Sequence, residues 1–388
     1  MVVVSKIFLF GSVFIFFTAC VSIKQQQPVL SAPIGELKLL DIYEIPYNLS
    51  FKSTTVGGLS GIDLDEKNNQ YYFISDDRSS TNPARFYSAD IRINNQKIDT
   101  IVFKDMVVLK EEKNQPYPSF KENPAHTVDP EAMRFYPNKN RLIWSSEGER
   151  IVSEKDTILT NPSIFIMDQQ GNWKDSFRLP PNLYMRAAEK GPRQNGVLEG
   201  MSFFDGYKKL MVNVEEPLYE DGPKAALILN NAFIRFFEFN LRNKKNTAQY
   251  AYELEAVAHL PNPVDGFKVN GVSDILNLGN QQWLVLERSF SSGRLACTIK
   301  IFLADFTNAT NIAAIASLKN NKEFIPIKKQ LLLNMDSLGV FTDNIEGICW
   351  GPRLANGRPS LLLVSDNNFK SFQKSQLFLL EIIPKATK

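Results

Sequence analysis

Ten positions in this sequence are placed to do chemistry. Five short apolar runs open on a small or acidic residue, at Ser60, Glu131, Glu199, Ser273 and Glu346, spaced by 71, 68, 74 and 73 residues. Each is followed by a second run ending in an acid: Asp76, Glu147, Glu215, Glu287 and Asp366, lying 16, 16, 16, 14 and 20 residues further on. More charges follow at Asp77, Arg78, Glu149, Glu216 and Arg288. Three glutamates of the first set and the five acids of the second make eight carboxylates. Gathered in one place, they repel one another unless protonated or neutralised by a cation. Oxygen-only donors suit Ca²⁺, with Mg²⁺ as the lesser candidate, and two histidines in the whole chain exclude a multi-histidine metal centre. The alternative is that each acid accepts backbone N–H bonds in its own turn, because repeats copy structural residues too.

Bringing these positions together requires a repeated element. A third apolar run follows in every unit, at 86–91, 163–168, 235–240, 300–306 and 376–382. A fourth completes four units, at 100–109, 175–180, 251–258 and 328–334. The fifth unit has no fourth run, but residues 36–45 (ELKLLDIYEI) stand unpaired before the first. The runs are short, β-branched and aromatic, with Asn, Asp, Gly and Pro between them, so they read as strands. Four strands per unit repeated radially predict an all-β chain: a β-propeller of five four-stranded blades, closed by the N-terminal strand. Six blades, one of them degenerate, is the alternative. Consecutive strands are antiparallel, so the start of each first strand lies beside the end of each second. Both acid positions are therefore expected around one channel mouth.

Composition narrows the function classes. The 388 residues carry 44 Lys and Arg against 42 Asp and Glu, which supplies no general attraction for nucleic acid. No G-x-S-x-G elbow, C-x-x-C, H-E-x-x-H or P-loop is present. His126, just before the second unit's inner strand, is within reach of the mouth as an acid or base, or is simply a solvated loop residue. His259 reads as structural. The acidic loop after Glu215, to Pro223, is either a lid or a tolerated insertion. A monomer is expected.

The first twenty residues (MVVVSKIFLFGSVFIFFTAC) have one Lys and then an apolar run too short to span a bilayer comfortably. Phe17-Thr18-Ala19-Cys20 resembles the cleavage box of a bacterial lipoprotein, with Phe17 where Leu is usual. That resemblance implies a signal peptide over 1–19, a lipid on Cys20, a polar tether over 20–35 and a domain over 36–388; the alternative is an ordinary secretory signal cleaved nearby. It places the protein in the bacterial cell envelope, membrane-anchored through Cys20, in the periplasm or on the outer-membrane surface. With Cys20 lipidated, Cys297 and Cys349 remain, in apolar runs that favour buried thiols over a disulfide.

Five stretches resemble the family called "esterase-like activity of phytase": GGLSGIDLDEKNNQYYFISDDRS (57–79), VDPEAMRF (128–135), NGVLEGMSFF (195–204), WLVLERSF (283–290) and NIEGICWGP (344–352). The resemblance implies a propeller that hydrolyses a phosphoester or related anionic small molecule, with Ca²⁺ bridging the phosphate by analogy with calcium-dependent propeller phytases. On that analogy Asp76, Glu147, Glu215, Glu287 and Asp366 are metal-ligand candidates. Glu131, Glu199 and Glu346 are candidates for ligands or a general base, and Arg78 and Arg288 for binding phosphate. An acid-rich mouth with two arginines should repel phytate in the absence of metal. The competing reading is a non-catalytic surface lipoprotein that binds a glycan, peptide or protein on the same face.

Overall fold

A computed structural model describes residues 1–2, 27–321 and 323–386. Cys20 and residues 3–19 of the expected signal peptide lie outside these residues. Five four-stranded antiparallel sheets account for the repeat, with two short hairpins added. The first blade runs outward through Leu59–Asp65, Gln70–Ser75, Arg85–Asn94 and Lys97–Val108. The second uses Pro130–Tyr136, Arg141–Ser146, Ser163–Met167 and Trp173–Ser176. The third uses Leu198–Phe204, Lys209–Val214, Phe233–Asn240 and Lys245–Glu253. The fourth uses Lys268–Gly279, Gln282–Ser291, Thr298–Asp305 and Lys328–Asn334.

The fifth blade has Asn344–Trp350, Ser360–Asp366 and Ser375–Pro384, and its outer strand is Ile34–Ile45. That N-terminal strand pairs antiparallel with the last one from Ile34↔Pro384 to Ile45↔Ser375, so the ring is closed between the two ends of the chain. Among the described residues there are five blades, not six.

Two outer strands differ from the positions read in the sequence. In the third blade the strand begins at Lys245, because Asn240↔Lys245 closes a tight hairpin with Lys244 at positive φ. In the second it ends at Ser176, after a turn in which Asp168 accepts the amides of Gln170 and Asn172.

The core lies between blades. Ile62, Tyr71 and Phe73 of the first blade pack with Leu362, Val364 and Leu377 of the fifth. Tyr72 and Ile74, on the opposite face, join Met133 and Trp144 of the second. Strand alternation thus gives each sheet two buried faces, which is why its inner runs are almost continuously apolar. Around the axis the five inner strands crowd closely. A Cβ at Gly200 would stand 2.6 Å from the Cα of Asp274, so only glycine fits there.

One ion pair ties the centre together. Arg134, from the second blade, donates to both carboxylate oxygens of Asp274 in the fourth at 2.8 and 2.6 Å. The guanidinium also reaches the carbonyls of Ile62 at 2.9 Å and Ile348 at 3.2 Å, in the first and fifth blades. Asp274 in turn accepts the amides of Ile348 at 2.8 Å and Met201 at 3.3 Å, the latter in the third. All five inner strands therefore meet at one buried pair. Below it, Gln27 and Pro28 line a small space with Asp63, Tyr207 and Trp350, and Leu30 bonds to Leu278 at 2.9 Å. Residues 27–30, part of the stretch read as a polar tether over 20–35, lie against this far end of the channel.

Candidate functional site

Each inner strand carries a register shift of the β-bulge kind, near its first residues in four blades and at the fifth residue of the longer strand in the fourth blade. The register shifts fall between Leu59 and Gly61, Pro130 and Met133, Leu198 and Met201, Val272 and Asp274, and Ile345 and Gly347. The five first positions, Ser60, Glu131, Glu199, Ser273 and Glu346, fall within these shifts. A bulge bends the strand and re-aims its side chain. Glu131, Glu199 and Glu346 line a cavity of about 810 Å³ at the mouth, with Asp76, Asp129, Glu147 and Glu215. Ser60 and Ser273 instead donate to the next blade's inner strand, to Glu131 O at 2.7 Å and Ile345 O at 3.0 Å.

The second set is offset by one residue in the fourth blade. Leu59, Pro130, Leu198, Val272 and Ile345 face Ser75, Ser146, Val214, Glu287 and Ser365. The residues that follow are Asp76, Glu147, Glu215, Arg288 and Asp366. Arg288, not Glu287, therefore occupies the fifth equivalent place. Because side chains alternate along a strand, Glu287 points away from the mouth. Its carboxylate accepts from Tyr252 Oη at 2.7 Å, Glu255 N at 2.9 Å, Asn270 Nδ2 at 2.7 Å and Lys329 Nζ at 2.7 Å. Glu287 is a structural acid with its acceptor sites filled.

His126 is also elsewhere. It is exposed, its Nε2 lies 2.8 Å from Glu111 Oε2, and it does not line the cavity. The loop after Glu215 is tied down rather than free to move as a lid. Arg193 holds the carbonyls of Pro217 and Gly222 at 2.9 Å each, and Arg235 grips Asp221 at 2.6 and 2.7 Å. Cys297 and Cys349 are buried free thiols.

Two carboxylate triads can each converge on a common point: Asp76, Asp129 and Glu131, and Glu131, Glu147 and Glu199, with all ligand oxygens in a triad within 4.8 Å of one another. Glu131 is common to both. Burial raises Asp76, Glu131 and Glu199 well above the ordinary carboxylate range, and repulsion among neighbouring acids raises them further. Burial pushes Glu147 up to about 8 against the amide of Val197, which it accepts at 2.6 Å. Glu346 is raised to about 8 by burial although Arg288 opposes the shift. Asp366 is raised to about 6 by burial and lies just behind the lining, its Oδ1 held by Asn368 N at 2.8 Å. Oδ2 of Asp366 and Oε2 of Glu346 are buried without a partner among the described residues. All-oxygen donors, mutual repulsion and orphaned carboxylate atoms fit a hard divalent cation.

The two arginines bracket the acid arc. Arg78 pairs with Glu149, lies 3.5 Å from Asp129 and stacks 4.3 Å over Phe120. Arg288 donates to Glu215 Oε1 at 2.6 Å and to Asn344, and lies 3.5 Å from Glu346. Asp129 escaped the sequence reading although it stands two residues before Glu131 in VDPE; it precedes the run and has no counterpart in the other repeats. Lys224, Arg294 and Lys370, also at the mouth, come from connecting loops with no repeat signature.

The fold and site define a five-bladed propeller with an acidic, hydrolase-like well at one mouth. The chain belongs to the Phytase-like family, described as esterase-like activity of phytase, whose model matches residues 54–369. A search of curated proteins gave no match. Among solved structures, a GH43 β-1,3-galactosidase with galactodeoxynojirimycin is 10% identical, at TM-score 0.46 over 88% of this chain and 96% of its own. An α-L-arabinofuranosidase from Lactobacillus brevis is 9% identical, at TM-score 0.45 over 86% and 97%. The Dos1 propeller is 7% identical, at TM-score 0.32 over 85% and 69%. At these values none of the three bears on activity.

Proposed function

We propose that the protein is a calcium-dependent phosphoester hydrolase of the bacterial cell envelope, held to the membrane by a lipid on Cys20 and acting at the propeller mouth. The observation that carries the reading is the pair of carboxylate triads sharing Glu131 inside an open cavity, buried except for the half-buried Asp76. The lipid anchor rests on the Phe17–Cys20 box alone.

Glu131 would bridge two cation positions, with Asp76 and Asp129 on one side and Glu147 and Glu199 on the other. A bound Ca²⁺ there would supply charge for phosphoryl oxygens and lower the pKa of an attacking water. Glu346 is suited to general acid–base work, because its raised pKa near 8 lies close to neutral pH. Arg288 fixes Glu346 and Glu215 in place, and Arg78 does the same for Asp129 and Glu149. With Arg78 and Arg288 held by carboxylates, phosphate recognition falls first to the cation and not to free guanidinium groups. That same observation favours a second reading, a non-catalytic binder of a glycan, peptide or protein.

Calorimetric titration of Ca²⁺ into metal-stripped protein tests both. Binding that is lost in Glu131→Gln, with hydrolysis of p-nitrophenyl phosphate abolished by chelator, supports the hydrolase. Metal binding without turnover of any phosphoester supports the binder. No heat from a folded protein refutes the metal site.

A further inference from the structure

The mouth has two unlike sides. Most of its carboxylates, including both triads, come from the first three blades; the fifth adds Asp343 and Glu346, and the fourth and fifth also supply large apolar side chains directed into solvent. Phe267, Leu295 and Phe372 line the cavity while remaining 62%, 71% and 65% exposed. Phe267 lies 6.2 Å, ring centre to ring centre, from Phe290, which also lines the cavity. Single exposed apolar residues are ordinary, but several around a concave polar site mark a ligand surface. Two cations share this side. Arg78, Arg288 and Lys224 are held by Glu149, Glu215 and Glu216. Arg294 and Lys370 line the mouth without a carboxylate pair among the described residues.

We infer that the mouth selects an amphiphilic anionic ester: one phosphoryl group between the acid cluster and Arg294 and Lys370, with an apolar alkyl or aryl alcohol lying over Phe267, Leu295 and Phe372. The occupant of the apolar rim is the ligand's own alcohol portion, because the rim is continuous with the cavity that takes the anion. A ring bearing many phosphates does not match this surface. It would leave the rim facing charge and would bring more anions than two unpaired cations can answer. The inference rests on the anionic-ester reading of the same cavity and adds to it the class of alcohol.

Binding of n-alkylphosphonates, from ethyl to octyl, is measured by calorimetry on the full protein with Ca²⁺ present. These probes are not hydrolysed, so the result does not depend on turnover, and a separate Ca²⁺ titration reports on the metal site. Each fully buried methylene is worth about fourfold in Kd. A partly covered chain should therefore tighten binding by at least about tenfold from ethyl to octyl. Changing Phe267, Leu295 and Phe372 together to Ser should flatten that trend to under about twofold, with Ca²⁺ binding unchanged. Arg294→Gln with Lys370→Gln should weaken every member of the series alike.

A wild-type Kd independent of chain length, or no binding of any phosphonate to calcium-loaded protein, overturns the inference. So does a flat series together with rim-dependent sedimentation on phosphatidylglycerol vesicles, which would make the rim a membrane contact.

Discussion

Replacing Arg134 by Met removes the cation at which all five inner strands meet. The lost groups are two bonds to Asp274, at 2.8 and 2.6 Å, and contacts to the carbonyls of Ile62, Met133, Ile275 and Ile348 at 2.9–3.3 Å. Removing one partner of a buried pair typically costs ~3–5 kcal/mol. Asp274 keeps the amides of Met201, Ile275 and Ile348 at 3.3, 2.8 and 2.8 Å, which puts the expected loss near the lower figure. Against a total of ~5–15 kcal/mol, that is a large fraction.

Urea unfolding followed through the buried Trp144 and Trp283 measures the loss, with an unchanged m-value as the check on the denatured state. The deficit should also depend on pH. Burial already raises Asp274, with Arg134 the leading opposing influence. Without Arg134 its folded pKa rises further, so the variant is relatively more stable when Asp274 is protonated and loses ground as pH rises. Arg134→Met with Asp274→Asn should lose less than the two single changes added together. A loss under about 1 kcal/mol at neutral pH, far below the cost of an orphaned buried charge, would refute the central tie. Strict additivity would refute it as well.

Four further outcomes are expected. Glu131→Gln should weaken Ca²⁺ binding by more than about tenfold, since it takes a charge from both triads, whereas His126→Ala should leave it unchanged; calorimetry reads both. In chelator, thermal stability should fall as pH rises from about 4.5 towards 8. Glu147 and Glu346 have folded pKa values of about 8 against 4.5, so their stability is present below the lower value and lost through the higher, and Ca²⁺ should reverse the loss. Glu287→Gln should cost about 1–3 kcal/mol in urea yet leave Ca²⁺ binding unaltered, because it disturbs a saturated network away from the cavity. Deleting Ile34–Ile45 should leave Ser375–Pro384 as an open edge and yield aggregates on size-exclusion chromatography.

The architecture was legible because each blade repeats one local rule. A small or acidic residue opens an inner run, an apolar strand returns about sixteen residues later, and ELKLLDIYEI had no partner except the incomplete last unit. The site was legible only in part. Spacing cannot tell which face of a strand a residue occupies, so Glu287 stood in for Arg288, one position from the equivalent place. The bulges that turn Glu131, Glu199 and Glu346 into the mouth leave no mark on an apolar pattern. His126 is near the mouth in sequence, but its loop turns outward to meet Glu111. Asp129, Arg294 and Lys370 come from connections whose lengths differ between blades, so no repeat could have exposed them.

The Arg134–Asp274 tie and the chain at Gln27 and Pro28 bear on traffic as well as on stability. A propeller pierced from end to end can take in on one side and discharge on the other; among the described residues, the buried Arg134–Asp274 pair fills the axis between the acid well and the far end. A ligand that reaches Glu131 would leave by the mouth it entered, and a polymer could not be threaded along the axis past Arg134 and Asp274. A chain can offer the well only its end. Attack would therefore be at termini or on small molecules, and the departing product would compete with the next substrate for the same doorway.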